Sequence, residues 1–204
     1  MISKKIMMFI LIITLLSASL TLFPYQGVLM NSAETINPGN FKLAIFPTTI
    51  IGNNGGNSIW GVAGRGGLGI SRSVDIEVKG ALFKNFNYFG VDIEYWFYRG
   101  KNVNASFATG WHMIDTKVGS DTSGIDTAIM LSTRPSKKLE IYSGIKLSFD
   151  SIKNTGQKID LIHFIPGFEY RVAKDIDFLA EFGISLSEES RNYFSFGFAY
   201  YFLR

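Results

Sequence analysis

The chain has 204 residues, 47% of them hydrophobic and 15% aromatic, with 18% charged and a net charge of +3. A soluble domain usually carries about a quarter charged residues, so this chain is short of solvating groups. Its Lys and Arg are scattered rather than clustered, which leaves no footprint for nucleic acid. The absence of cysteine suits an exported chain, which then risks no wrong disulfide, and by itself decides little.

At the N-terminus, Lys4-Lys5 precede an apolar run from Ile6 to Leu16, followed by Ser17-Ala18-Ser19. A basic start, an apolar core and small residues read as a secretory signal. Cleavage is expected after Ser19 or after Ala33. The bland alternative is a retained anchor, because the apolar stretch runs on to Phe23 before Pro24. No other run is long and apolar enough to predict a helical span.

From Phe41 onward the sequence alternates between apolar and small or polar residues, with turn chemistry dividing the segments. The spacing predicts ten strands, of about the length that a tilted membrane strand needs. They are Phe41–Ile50, Ser58–Ile70, Val74–Phe83, Tyr88–Tyr98, Val103–Ile114, Ile125–Thr133, Leu139–Asp150, Ile159–Arg171, Ile176–Leu186 and Tyr193–Phe202. The third sets Val74, Ile76, Val78 and Leu82 against Asp75, Glu77, Lys79 and Ala81. The fourth sets Phe89, Val91, Ile93, Tyr95 and Phe97 against Gly90, Asp92, Glu94, Trp96 and Tyr98. The sixth is the weakest by its own chemistry. Glycines from Gly61 to Gly69 continue an alternating strand with no helix after them, so they form no phosphate loop.

Short turns at 71–73, 99–102, 134–138 and 172–175 alternate with mostly longer polar loops at 52–57, 115–123, 151–158 and 187–192; 83–87 is the short exception. That asymmetry is how bacterial barrels separate their periplasmic and extracellular ends. Pro47 and Pro166 fall inside predicted strands, where proline removes a ladder hydrogen bond. Ile165-Pro166-Gly167 is therefore expected to bulge or bend, and an eight-strand barrel remains an alternative.

Volume decides which face is outside. Five large side chains from each of ten strands cannot fit inside so narrow a barrel. The apolar face must meet lipid, and the face rich in Gly, Ala, Ser and a few charges must line the lumen. Aromatics form two expected girdles. Trp60, Phe89, Trp111, Phe164 and Phe194 lie toward the loops; Tyr95, Phe97, Tyr170, Tyr200 and Phe202 lie toward the turns.

The last strand, Tyr193 to Phe202, places Phe194, Phe196, Phe198, Tyr200 and Phe202 at every second position. It resembles the C-terminal insertion signal of bacterial outer-membrane β-barrels: polar, any, Gly, any, any, aromatic, any, aromatic. Ser195, Gly197, Tyr200 and Phe202 fill the defined positions. Leu203 and Arg204 follow, where many members of those families stop. From about residue 40 to 204 the chain resembles small outer-membrane barrels of the OmpA/OmpX or porin-like kind. The resemblance implies outer-membrane localisation, insertion by the barrel assembly machinery, periplasmic chaperones as transient partners and lipopolysaccharide as a neighbour. It carries over no catalytic residue. The expected division is a signal peptide and leader over 1–33, a periplasmic segment over 34–40 and an all-β up-and-down barrel over 41–204.

By parity, Arg65, Glu77, Lys79, Asp92, Glu94, Lys146 and Glu181 should occupy the middle of the lumen. Asp75, Glu140, Glu169, Arg171 and Asp177 also point inward. Isolated charges there are costly, so they should pair or be hydrated. Carboxylates from the third, fourth and ninth strands are expected to meet cations from the second, third and seventh. Trp96, Tyr98, Tyr142 and Tyr201 should narrow the turn end further. Three functions compete: a filled structural or surface-interaction barrel, a narrow channel for small polar solutes, and a hydrolase using His112 or His163 with Asp126, Asp150 or Asp160. The first is favoured, since barrels only slightly wider than eight strands are usually filled. No cofactor or metal is expected.

Overall fold

A computed structural model describes residues 33–52, 56–117 and 119–202. The expected signal segment before residue 33, the tip of the first loop and Leu203-Arg204 lie outside the described residues. Ten strands close into a single antiparallel barrel in which each strand pairs with its sequence neighbours. They are β1 (Phe41–Ile50), β2 (Ile59–Gly69), β3 (Val74–Phe83), β4 (Phe86–Arg99), β5 (Asn104–Thr116), β6 (Thr122–Thr133), β7 (Leu139–Ile152), β8 (Lys158–Ala173), β9 (Ile176–Ser185) and β10 (Tyr193–Phe202). The eight-strand alternative falls, because β1 and β10 are both regular and pair with each other to close the ring.

Alternation along each strand produces an inverted molecule. Ile45, Ile129 and Phe198 are more than half exposed, while Lys146, Glu77 and Asp126 are buried. Side chains of successive strand residues point to opposite faces, so one register decision sorts the whole sequence. An exterior that is apolar through its middle is stable only in lipid, and a closed ladder leaves no unpaired strand edge there. Outward rings also pack across strands: Phe168 on Phe178 and Phe178 on Phe198, with centroids 6.0 and 5.4 Å apart. At the closing seam Phe41 and Phe202 meet at 5.6 Å.

Neither proline shifts the register of its strand. Pro166 keeps its register against Ser143 of β7. On the β9 side the pairing runs from Phe164↔Ile184 to Gly167↔Glu181, skipping Ile165 and Pro166 without a shift. The expected bulge at 165–167 is thus a gap in one ladder, on the side where proline has no N–H to donate. Pro47 behaves likewise: it pairs with Val62 of β2 but interrupts the β10 ladder between Ile45 and Thr48. Register shifts fall instead near the turn ends, at Trp96/Tyr98 and Arg171/Ala173. The first of these breaks the parity assumed for Tyr98, which is 56% exposed and does not narrow the lumen.

An outward charge near mid-strand should be far more costly than an inward polar atom at the adjacent position. Ile129→Arg is expected to lower the unfolding free energy in lipid vesicles by about 2–4 kcal/mol. Ala128→Ser, whose side chain faces the lumen, should be nearly neutral. Urea titrations followed by tryptophan fluorescence measure both, and equal tolerance of the two would contradict the assignment of faces.

Candidate functional site

The lumen holds the chain's chemistry. Ten carboxylates are buried there: Asp75, Glu77, Asp92, Glu94, Asp126, Glu140, Asp150, Glu169, Asp177 and Glu181. Among the described residues, four Lys or Arg side chains are buried with them, Lys42, Arg65, Lys79 and Lys146. Three carboxylate pairs sit directly opposite one another across a ladder: Asp75↔Glu94, Glu77↔Asp92 and Glu140↔Glu169. Like charges so placed repel. Their stability depends on where each finds a partner.

Members of these pairs are neutralised from different directions. Glu77 of β3 pairs with Arg65 of β2, while Asp92 of β4 pairs with Lys79 of β3. Glu140 accepts from Arg134 Nη2 at 2.7 Å, and Glu169 accepts from the Tyr201 hydroxyl at 2.7 Å. Asp75 accepts the backbone N–H of Ile36 at 2.9 Å. A tyrosine hydroxyl and a backbone amide therefore join the cations in holding these carboxylates.

Glu181 accepts from Tyr193 at 2.8 Å and from Tyr142 at 3.4 Å. Lys146, expected to pair with a carboxylate of the third, fourth or ninth strand, lies 2.9 Å from Asp126 of β6. Asp126 gathers partners from three other strands. It also accepts from Ser148 and from the Tyr88 hydroxyl, and lies 3.2 Å from His112 Nδ1. His112 Nε2 lies 3.0 Å from Asp150, so the imidazole is held between two carboxylates and stacks on Tyr88. His163 is elsewhere, its Nε2 2.7 Å from the Arg191 carbonyl and its ring against Tyr193. Asp160 is exposed and joins neither histidine. Arg171 is only half-buried, 3.7 Å from Asp177.

The middle of the lumen is packed. Between Lys79, Asp92, Asp126 and Lys146 a residual cavity of about 10 Å³ remains. A single water needs about that much.

Sequence reasoning missed two features. Lys42 is an inward residue of β1, 2% exposed and lying over the Tyr201 ring at 5.2 Å; the β1 alternation, with Lys42 in phase with Ala44 and Phe46, carried that signal. The second is residues 33–40, with 34–40 expected only as a periplasmic segment before the barrel. This segment crosses the turn-side mouth. Ala33, Thr35 and Ile36 are buried. Thr35 donates to the Arg72 carbonyl, and Gly39 and Asn40 exchange backbone hydrogen bonds with Gly69. At the far wall Glu34 pairs with Arg134 at 2.7 Å and accepts from Asn104 at 3.0 Å. A Cβ at Gly69 would collide with the Ile36 and Asn37 carbonyls, and one at Gly67 with the Ile36 side chain. These two glycines make room for the segment, a closer reason than strand curvature. No short-range pattern in 33–40 announces it.

The aromatics near the strand ends lie on the outer surface. Trp60, Phe89, Trp111, Phe164 and Phe194 are exposed toward the loops, and Tyr95, Phe97, Tyr170, Tyr200 and Phe202 toward the turns. Within the terminal motif, Ser195 faces the lumen, bonded to Thr48 at 2.8 Å across the seam.

Neither a protein-family model nor a curated protein matches the chain. Solved structures do. The COG4313 outer membrane channel from Pseudomonas putida F1 matches with a TM-score of 0.61 at 8% identity, over 86% of this chain and 100% of that one. A bacterial polysaccharide outer membrane secretin matches at 0.50 and 13%, over 80% of this chain and 65% of that one. The outer membrane protease OmpT from Escherichia coli matches at 0.45 and 10%, over 84% and 100%. At such identities the likeness concerns the fold: the chain is a transmembrane β-barrel of the outer-membrane kind.

Removing a central partner should be much more damaging than removing a rim one. Asp126→Asn strips Lys146 of a buried counter-charge and should reduce the unfolding free energy by about 3–5 kcal/mol. Arg171→Gln, at a 3.7 Å pair whose cation is 34% exposed, should cost less, about 1–2 kcal/mol, because Gln still offers a donor to the buried Asp177. Urea unfolding in vesicles compares the two, and a smaller effect at Asp126 would contradict this account of the interior.

Proposed function

We propose that the protein is an integral barrel of the bacterial outer membrane whose lumen is closed, and which acts through its surfaces rather than by conducting solutes. The packed centre between Lys79, Asp92, Asp126 and Lys146, with space for about one water, carries this reading. The segment over the turn-side mouth supports it independently. In this reading the turns and residues 33–40 face the periplasm, and the loops at 52–57, 115–123, 151–158 and 187–192 are the surface presented outside. Insertion proceeds through the assembly machinery that reads Ser195, Gly197, Tyr200 and Phe202, with periplasmic chaperones beforehand and lipopolysaccharide beside the loops.

The channel reading draws on one of the similar structures being a channel. It requires the charges at 65, 77, 79, 92, 94, 146 and 181 to border an open constriction. All seven are buried instead, Arg65 with Glu77, Lys79 with Asp92, and Lys146 with Asp126. A hydrolase using His112 or His163 would need substrate access, yet each histidine is 1% exposed.

Planar-bilayer recording of the refolded protein, after a heat-dependent gel shift confirms folding, tests the proposal. The expected result is electrical silence, retained after Glu34→Gln loosens the segment across the mouth, because the side-chain packing deeper in the lumen stays in place. Discrete conductance that changes with Lys146→Ala would overturn it in favour of a small channel.

A further inference from the structure

The two rims of the barrel differ in charge. The four turns, at 70–73, 100–103, 134–138 and 174–175, contain Arg72, Lys101, Arg134, Lys137, Lys138 and Lys174 against a single carboxylate, Asp175. All six cations are exposed. Arg99 and Arg171 add two more at the adjoining strand ends. The loops at the other rim are nearly balanced, with Lys84, Lys117, Lys153 and Arg191 against Asp121, Glu188 and Glu189.

Little of the turn-side charge is consumed internally. Arg134 holds Glu34 and Glu140, and Arg99 lies over the Trp96 ring at 4.0 Å while bonding Arg72 O and Ser73. Among the described residues, Arg72, Lys101, Lys137, Lys138 and Lys174 take part in no ion pair. The lumen's surplus of carboxylates cannot draw them in, because these side chains stand on exposed turns around the mouth.

We infer that this rim is a binding surface for anionic phospholipid headgroups. The inference rests on the reading that the barrel spans a membrane with its turns at one leaflet. Geometry favours lipid over a compact acidic partner. Every turn contributes, so the charge is distributed around a ring. The turns are only two to five residues long, which keeps their cations at the level where the strands leave the apolar band. Immediately above them lie the exposed Tyr95, Phe97, Tyr170, Tyr200 and Phe202, rings of the kind that sit among headgroups. Clusters of four to eight Lys and Arg at that depth attract acidic headgroups. Long Lys and Arg stems can lie along the apolar wall while the charge reaches the phosphate plane. The near-balanced loop rim predicts no such preference on the opposite side.

The test uses the full refolded protein in phosphatidylcholine vesicles containing trace spin-labelled phosphatidylglycerol or spin-labelled phosphatidylcholine. Electron spin resonance measures the fraction of each label immobilised against the barrel. Phosphatidylglycerol should be selected by at least about threefold, and the selectivity should fall as salt rises. It should collapse toward unity in the combined variant Lys101→Gln, Lys137→Gln, Lys138→Gln, Lys174→Gln. It should persist in the loop-rim variant Lys84→Gln, Lys117→Gln, Lys153→Gln. A gel shift verifies that each variant is folded and inserted, so failure to span the membrane registers separately from failure to select lipid. Wild-type protein without headgroup selectivity, or equal loss in both variants, would overturn the inference.

Discussion

A ten-stranded barrel in lipid has to satisfy two demands with one sequence period. Every backbone donor and acceptor must be paired within the ring, and every second side chain must be apolar. The remaining side chains are then confined to a narrow interior, where charged groups share the space with buried Phe46, Phe86 and Met130. Here that interior contains ten buried carboxylates and four buried Lys or Arg side chains. The imbalance makes partner choice the central problem of the structure. Much of the lumen's arrangement can be understood as its solution, with tyrosine hydroxyls on Glu169 and Glu181, rim arginines on Glu140 and Asp177, and a backbone amide on Asp75.

This solution links the ends of the barrel to its centre. Residues 33–40 are held by groups that belong to the charged interior: Asp75 below, and the Arg134–Glu140 pair at the far wall. The segment thereby covers the mouth and supplies a donor and a carboxylate to the network. From the centre toward the loops, Asp126 connects β6 to His112 of β5, Lys146 and Ser148 of β7 and Tyr88 of β4. A hub of that kind couples the strands through side chains as well as through backbone ladders. Deleting one member of such a network leaves another charge buried without compensation.

The fold was legible because a period of two is simple to read and lipid permits few alternatives. The spans of β1, β3 and β10 agree with expectation at both ends, and even β6, weak by its own composition, pairs along its full length with β7 and from Thr122 to Ser132 with β5. Parity also placed the central charges on the inner face. It failed at Tyr98, because the register shift at Trp96/Tyr98 is a property of two strands together. Partners were harder to read than faces. Parity says that Glu181 points inward but not that Tyr193 and Tyr142 reach it, since that depends on registers and rotamers across β7 to β10. The segment at 33–40 was opaque for a different reason. Its docking rests on backbone bonds to Gly69 and on space left at Gly67, and neither has a periodic signature.

The central claim is that the lumen is packed solid at mid-depth, and thiol accessibility tests it most directly. The chain contains no cysteine, so Ala128→Cys introduces a single thiol beside the small cavity between Lys79 and Lys146. In refolded protein, its reaction with a small charged methanethiosulfonate should be slower by orders of magnitude than that of Lys153→Cys on an exposed loop. Comparable rates at the two positions would mean a water-filled passage through the barrel and would contradict the account.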